Sequence, residues 1–577
     1  MNLFSAAAHA LLLHGGSLLG AAFIADYRAK ARKGRRVTEK RLLHILRVSR
    51  NTEYGKKYGF AEIKSVEDFQ NKVPLSSYSD YEPYILRTAN NGEQGLITGH
   101  KINFFATTSG TVGKVKLVPQ IAASYLPYFK AICVFLTCLV RAVRSRGISA
   151  VTARGLLTTE VDIRPADSSA DGSGRFSIGV ISAYAAGGMK HFMPLFAPLP
   201  RELFGREPVG DRKYVLARFA LQEPDLKWIG GIFMSSLSDI VNYIEANAQL
   251  LIRDIETGAI DPSVELTASA RASLAKKLRA DPGRAAELRE IFRNPSDTPL
   301  LMRLWKNMSY ACAIGSGDFE PFTNKLRGCC SRDVRFHYGM YAASEAAMGL
   351  ALDSEISSYL LLMDSVFFEF LPLEEECDLP PERPLLMHEL EPGKHYEILI
   401  TTDAGLYRYR MKDVVKVTGF VGETPTITFA YRVDSLTNTC CCHITGEYLA
   451  AAVEAVEKAG QLHIPDYSLY ADNDYVPPRL VLYLEPDRRL TEEETERLRT
   501  VFEDALQSIA SIYRRTREHK GMSPAVLRPM PEGSYARWRE ARIAAGASSN
   551  QLKPLRVIDS PEKLDFFLAA ASKEQKQ

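Results

Sequence analysis

Short apolar strands alternating with amphipathic helices predict an α/β fold: a large N-terminal domain of layered α/β subdomains and a smaller C-terminal α+β domain. Three observations carry this reading. Lys227-Trp228-Ile229-Gly230-Gly231-Ile232-Phe233 has the length and apolar content of a buried strand, and Ser236 opens a helical pattern through Ile240, Val241 and Ile244. Thr491-Glu492-Glu493-Glu494 is a capping box, which sets Leu498, Val501, Phe502, Ala505 and Ile509 on one helix face. The chain of 577 residues is also too long for one ordinary domain. Its 46% hydrophobic and 24% charged content suit a soluble protein with a sizeable core.

In chain order, residues 6–25 are apolar and are expected to form one or two helices packed on the domain, interrupted by His9, His14, Gly15, Gly16 and Ser17. No basic residue precedes them, which argues against a secretory signal. A basic cluster follows, from Arg28 and Lys30 through Arg32, Lys33, Arg35 and Arg36. A solvated helix face is the favoured reading of it, and membrane contact through this N-terminal segment is the minor alternative. Residues 37–50 carry a helical stripe, with Leu42, Leu43, Ile45, Leu46 and Val48 on it. Residues 122–143 read as a buried helix, and residues 267–293 as helical with a break near Asp281-Pro282-Gly283. The strand and helix alternation implies largely parallel sheets. Arg432 to Asn438 reads as a polar hinge, so the boundary is placed near Asp434, giving domains 1–433 and 434–577.

A net charge of +3 gives no reason to invoke nucleic acid. The nine cysteines lack a paired spacing, and neighbours such as Cys329-Cys330 are poorly placed to share an ion or a bridge. Free thiols in a reducing cytoplasm are the expectation.

The segment Phe104-Phe105-Ala106-Thr107-Thr108-Ser109-Gly110-Thr111-Val112-Gly113-Lys114-Val115-Lys116 reads as a buried strand entering a loop of hydroxyls, glycines and lysines. Such a loop can wrap a polyphosphate, since glycine permits close backbone approach and N–H and hydroxyl groups donate. The glycine and lysine spacing is not that of a P-loop, and a simple hairpin turn has the same letters. Three more segments bear on the choice: Ala313-Ile314-Gly315-Ser316-Gly317-Asp318, Phe336-His337-Tyr338-Gly339-Met340-Tyr341-Ala342-Ala343-Ser344-Glu345, and Gly405-Leu406-Tyr407-Arg408-Tyr409-Arg410-Met411-Lys412-Asp413, the last read as a β segment ending in an acid.

In this order the segments resemble the adenylate-forming superfamily. More narrowly, the chain is similar to the auxin-responsive acyl-acid amido synthetases of the Gretchen Hagen type, including bacterial members. Met340 to Glu345 resembles that family's Met-Tyr-Ala-Ser-Ser-Glu, Phe367-Phe368-Glu369-Phe370-Leu371-Pro372 its Tyr-Phe-Glu-Phe-Leu-Pro, and Gln551-Leu552-Lys553-Pro554 its lysine-bearing end. The resemblance implies a two-step ligase. A carboxylic acid attacks ATP to give an acyl-adenylate and pyrophosphate, and an amine, usually an amino acid, then displaces AMP.

It further implies roles for single residues. Thr108, Ser109, Gly110, Thr111, Gly113 and Lys116 would hold phosphates. Gly315, Ser316 and Gly317 would lie along the adenine, with Tyr341 on its ring. Ser344 would sit near the α-phosphate, Glu345 would bind Mg²⁺, Asp413 the ribose, and Arg432 would approach the nucleotide. Lys553, on a mobile small domain, would reach the α-phosphate, and Phe233 and Met340 could line the acyl pocket. His337 is expected to be a strand histidine rather than a base. Lys412 departs from the pattern, standing where the family has glycine. The alternatives are an adenylating ligase with a thiol acceptor such as coenzyme A, and a catalytically weak acyl- or nucleotide-binding protein.

Overall fold

The computed structural model describes every residue except 1–2, 108–115, 159–162, 166–175, 180, 182–191, 205–207, 295, 317–318, 374–382, 434–436, 440–441, 546–551 and 575–577. The chain forms two compact units. The first comprises Met1–Ser316, Phe322–Met411 and Lys416–Thr428, the second Gly317–Pro321, Lys412–Val415 and Phe429–Gln577.

The first unit opens with helices α1 (Leu3–Ala31) and α2 (Gly34–Ser49), followed by α3 (Tyr78–Asn91) and α4 (Leu126–Ser145). The residues expected to interrupt the apolar stretch lie inside one uninterrupted helix of 29 residues. Tertiary packing explains its small residues. A Cβ at Gly20 would stand 2.0 Å from the Cys133 carbonyl oxygen, so glycine is what lets α1 lie so close to α4. Thr137 Oγ1 donates across the same seam to the Ser17 carbonyl at 2.7 Å.

Strands β1 (Ile102–Thr107) and β2 (Leu117–Ile121) lie between α3 and α4, and β3 (Arg154–Leu157), β4 (Ile163–Pro165) and β5 (Ser177–Gly179) follow α4. One sheet has the order β2-β1-β5-β4, with β1 and β5 parallel. A second sheet adds β6 (Leu226–Phe233), β7 (Tyr310–Ile314) and β8 (Arg335–His337) to β3 in the order β3-β6-β7-β8. All its pairs are parallel, as the alternating pattern predicts. The helix after β6 begins at Met234, two residues before the expected Ser236, and buries Leu237, Ile240, Val241 and Ile244 in the same core as Ile229.

The largest sheet corrects the expectation of mainly parallel pairing. Its strands are β9 (Met340–Ala342), β10 (Ala347–Leu350), β11 (Tyr359–Leu361), β12 (Phe367–Pro372), β13 (His395–Thr401), β14 (Tyr409–Val421) and β15 (Thr424–Arg432). They run β12-β13-β14-β15-β11-β10-β9, and β12–β13, β15–β11, β11–β10 and β10–β9 are antiparallel. Connections as short as Gly422-Glu423, between β14 and β15, cannot make the long crossover that parallel neighbours need. Asp413 therefore lies inside β14, not at a strand end as expected, and Gly405 to Arg408 precede the strand.

In the second unit, β18 (Asp466–Asp472), β19 (Arg479–Glu485), β20 (Val526–Pro529) and β21 (Val557–Ile558) form a sheet in the order β20-β19-β18-β21, preceded by the hairpin of β16 (Thr437–Thr439) and β17 (Cys442–Ile444). Helices Gly446–Gly460 and Glu492–Ile509 share its core through Val453, Val456, Leu498, Phe502 and Leu506. The capping box is formed: Glu494 N–H donates to Thr491 Oγ1 at 3.2 Å, and Thr491 N–H to the Glu494 carboxylate at 3.0 Å. Ile509, expected on the buried face, is exposed where that helix ends.

Candidate functional site

Strand β1 is buried through Ile102, Phe104, Phe105 and Ala106, and its last residue, Thr107, leads into the hydroxyl- and glycine-rich loop. Thr108, Ser109, Gly110, Thr111 and Gly113 fall outside the described residues, as does Gly317. The frame of the loop is described. Ser344 Oγ donates to the Thr107 carbonyl at 2.7 Å, and Gln120 Nε2 on β2 donates to the Ser344 carbonyl at 2.8 Å. The residue just after β9–β10's first strand motif is thus tied to both strands that flank the loop. Lys116, at the far end of the loop, sets its ammonium over the Tyr78 ring, 5.3 Å from the centroid.

Glu345 follows Ser344 and lines a cleft with Arg41, Gln120, Ser124, Pro127 and Asp403. Two tyrosines report its carboxylate. Burial pushes the Tyr128 phenol of α4 up, and the Glu345 charge adds to the effect. Burial likewise raises the Tyr78 phenol, with Glu345 among the smaller contributions. The Tyr128 hydroxyl is buried and has no hydrogen-bond partner among the described residues. Glu345 offers a carboxylate, the oxygen-donor type that suits a hard cation such as Mg²⁺.

Tyr341 is buried, and its ring lies 6.1 Å from that of Tyr359. Burial pushes the Tyr359 phenol up to about 12, while Ser316 beside it acts the other way. Ser316 and Tyr341 are thus joined through Tyr359. Gly315 is set by packing: a Cβ there would stand 2.4 Å from Thr323 Oγ1 and 2.6 Å from Met234 Cγ. Phe233 stands in register with Ile314 at the end of the parallel sheet, whereas Met340 pairs with Leu350 in the large sheet. The two proposed acyl-pocket residues therefore come from different sheets. His337 is a core histidine, as expected, with Nε2 2.9 Å from the Ala351 carbonyl and burial lowering its pKa.

In the second unit, Arg432 Nε lies 3.3 Å from Asp413 Oδ1, so the two motif residues meet. Asp413 is buried and Arg432 half-exposed. Lys412, beside it, has φ of +59°, the left-handed conformation that glycine adopts readily. The backbone thus holds at Lys412 the geometry a glycine would give. Lys553 is exposed, and its ammonium lies 5.7 Å from the centre of the Phe429 ring.

Gln120, Tyr78 and Tyr128 were not singled out from the sequence. Gln120 carried a usable signal, since it is a lone amide inside the apolar strand Leu117–Ile121 and is 1% exposed. The tyrosines carried none, because only the fold brings their phenols within the influence of the Glu345 charge.

Among the described residues the fold is mixed α/β, and Ser344 ties the end of β1 to β2 through the Thr107 carbonyl and Gln120. Three family profiles cover most of the chain: the GH3 family N-terminal domain over residues 24–334, the central domain over 359–432 and the C-terminal domain over 447–562. The protein belongs to the GH3 family. It is 27% identical over 552 residues to indole-3-acetic acid-amido synthetase GH3.8 of Oryza sativa subsp. indica, covering 92% of this chain and 89% of the relative. It is 25% identical over 547 residues to jasmonoyl–L-amino acid synthetase JAR4 of Nicotiana attenuata, covering 93% of each. The solved structure of GH3.15 acyl acid amido synthetase matches with a TM-score of 0.80 at 20% identity over 95% of both chains, which establishes the shared fold.

Proposed function

We propose that this protein is an ATP-dependent acyl-acid amido synthetase. It adenylates a small-molecule carboxylic acid and passes the acyl group to an amine, with amino acids the first class to test. The observation that carries the reading is the bond from Ser344 to the Thr107 carbonyl, which anchors the Ser-Glu pair at the mouth of the hydroxyl-rich loop. Family membership and the amido synthetase relatives support it.

In this reading the loop residues Ser109, Gly110, Thr111 and Gly113 cradle the phosphates, where fixed donors stabilise charge as it develops. Glu345 holds Mg²⁺, which offsets the repulsion between carboxylate and polyphosphate, about 4 kcal/mol for two unit charges ~4 Å apart at an effective dielectric near 20. Asp413 accepts from the ribose hydroxyls, oriented by Arg432, and Lys553 reaches the α-phosphate when the small domain moves. Lys412 keeps a glycine-like backbone, which favours the enzyme over the weak binding protein. The test is carboxylate-dependent exchange of labelled pyrophosphate into ATP with a pooled acid library. Exchange that Glu345→Gln removes is the expected result. A protein that binds ATP yet exchanges with no acid overturns the reading.

A further inference from the structure

We propose that α1 docks this protein onto an anionic bilayer, lying along the headgroup boundary with its outer face in the lipid. Helix α1 is apolar on two opposite faces, and α4 covers only one of them. Leu13, Gly20 and Ile24 are buried, and His9 Nε2 accepts from the Ala153 N–H at 2.9 Å, so the inner face is held by the domain. The outer stripe runs Phe4, Leu11, Gly15, Leu18 and Ala22, with Leu19 beside it, and all of these are exposed. Phe4 is 83% exposed, Leu11 75% and Leu18 74%. At 1.5 Å per residue, the stripe from Phe4 to Ala22 is about 27 Å long. Phe129 and Leu126 of α4 are also exposed, and Phe129 continues the patch through its ring contact with Phe23, 6.4 Å away.

A surface helix ordinarily turns polar residues outward, so an apolar outer stripe of this length marks a contact surface. The charge that follows identifies the occupant. Arg28, Arg32, Lys33 and Arg36 are exposed and have no ion-pair partner among the described residues, whereas Lys30 pairs with Asp26 and Arg35 with Glu39. An apolar stripe ending in a cluster of free cations complements an anionic lipid surface, which supplies both acyl chains and negative headgroups. A second copy of the chain would offer the same positive cluster instead of its complement. The stripe lies before residue 24, where the match to the GH3 N-terminal profile begins. Because its other face is packed on α4, the helix lies on the bilayer and does not cross it.

The experiment is co-sedimentation of the full chain with phosphatidylcholine vesicles, with and without about 30% phosphatidylglycerol. Partition onto the anionic vesicles is expected to exceed that onto neutral ones about tenfold at low salt, and to fall as salt rises. Leu11→Ser with Leu18→Ser should lower it about tenfold or more through lost apolar burial. Arg32→Gln with Lys33→Gln should lower it about tenfold and flatten the salt dependence. These positions are exposed, so the variants should melt with the wild type. Failure of the intact chain to sediment, or equal partition of the leucine variant, overturns the proposal. A lipid-independent dimer that the leucine substitutions dissolve, without vesicle binding, overturns it in favour of a second copy.

Discussion

Arg408 and Glu369 form a buried ion pair that locks two sequence motifs together. The Glu369 carboxylate on β12 accepts from Arg408 Nη2 at 3.0 Å and Nε at 3.1 Å, and the side chains are 1% and 5% exposed. Arg408 Nη1 also donates to the Gln70 and Val73 carbonyls, and Gln70 Nε2 donates to Glu369 at 2.9 Å. The charges are thus nearly saturated with partners. Replacing Glu369 by Leu should destabilise the fold by about 3–5 kcal/mol, because it strands the guanidinium. Urea unfolding of Glu369→Leu, Arg408→Met and the double variant should show non-additivity of about 2 kcal/mol. Additive losses would mean that the pair is not a unit.

Ser344→Ala removes the link to the Thr107 carbonyl while leaving the Gln120 bond to the Ser344 backbone. A global loss of no more than about 1.5 kcal/mol is expected. Pyrophosphate exchange should fall at least about tenfold, the lower range for a lost positioning or stabilising contact. Normal exchange in the variant would remove Ser344 from the site.

Lys412 at φ +59° pays a conformational cost that glycine avoids. Lys412→Gly should therefore stabilise the protein by about 0.5–1 kcal/mol, the left-handed penalty less the extra chain entropy of glycine. A lower melting temperature in the variant would show that contacts of the lysine outweigh its backbone strain.

Lys553→Ala should slow single-turnover adenylation strongly and leave equilibrium ATP binding almost unchanged, since a lysine that arrives with domain motion acts after the nucleotide is bound. Rapid-quench measurement separates the two. Equal loss in both would recast Lys553 as an affinity residue.

Burial holds the His9 imidazole down at about 4. Its neutral form accepts the Ala153 N–H, so the folded state resists protonation. With an unfolded pKa near 6.5, this contribution is present above that value and is lost as pH falls toward 4, by about 2 kcal/mol between pH 7.5 and 5. His9→Asn should show a correspondingly shallower pH dependence in urea unfolding. Matching curves would assign the titration elsewhere.

The sequence by itself determined the elements and the motifs. Apolar runs such as Leu226–Phe233, short and set between amphipathic helices, read as strands, and Thr491 with Glu494 fixes a helix start through local hydrogen bonds. The four motif segments were legible for the same reason: their chemistry lies in consecutive residues. What only the tertiary structure decided were relations across long separations. The pairing of Glu369 with Arg408, the bond from Ser344 to Thr107 and the placing of β11 beside β15 in the large sheet join residues far apart in sequence, which no local pattern encodes. The exposed face of α1 belongs with these. An apolar sequence states that a helix shuns water, but which of its faces finds protein is settled by where α4 lies against it.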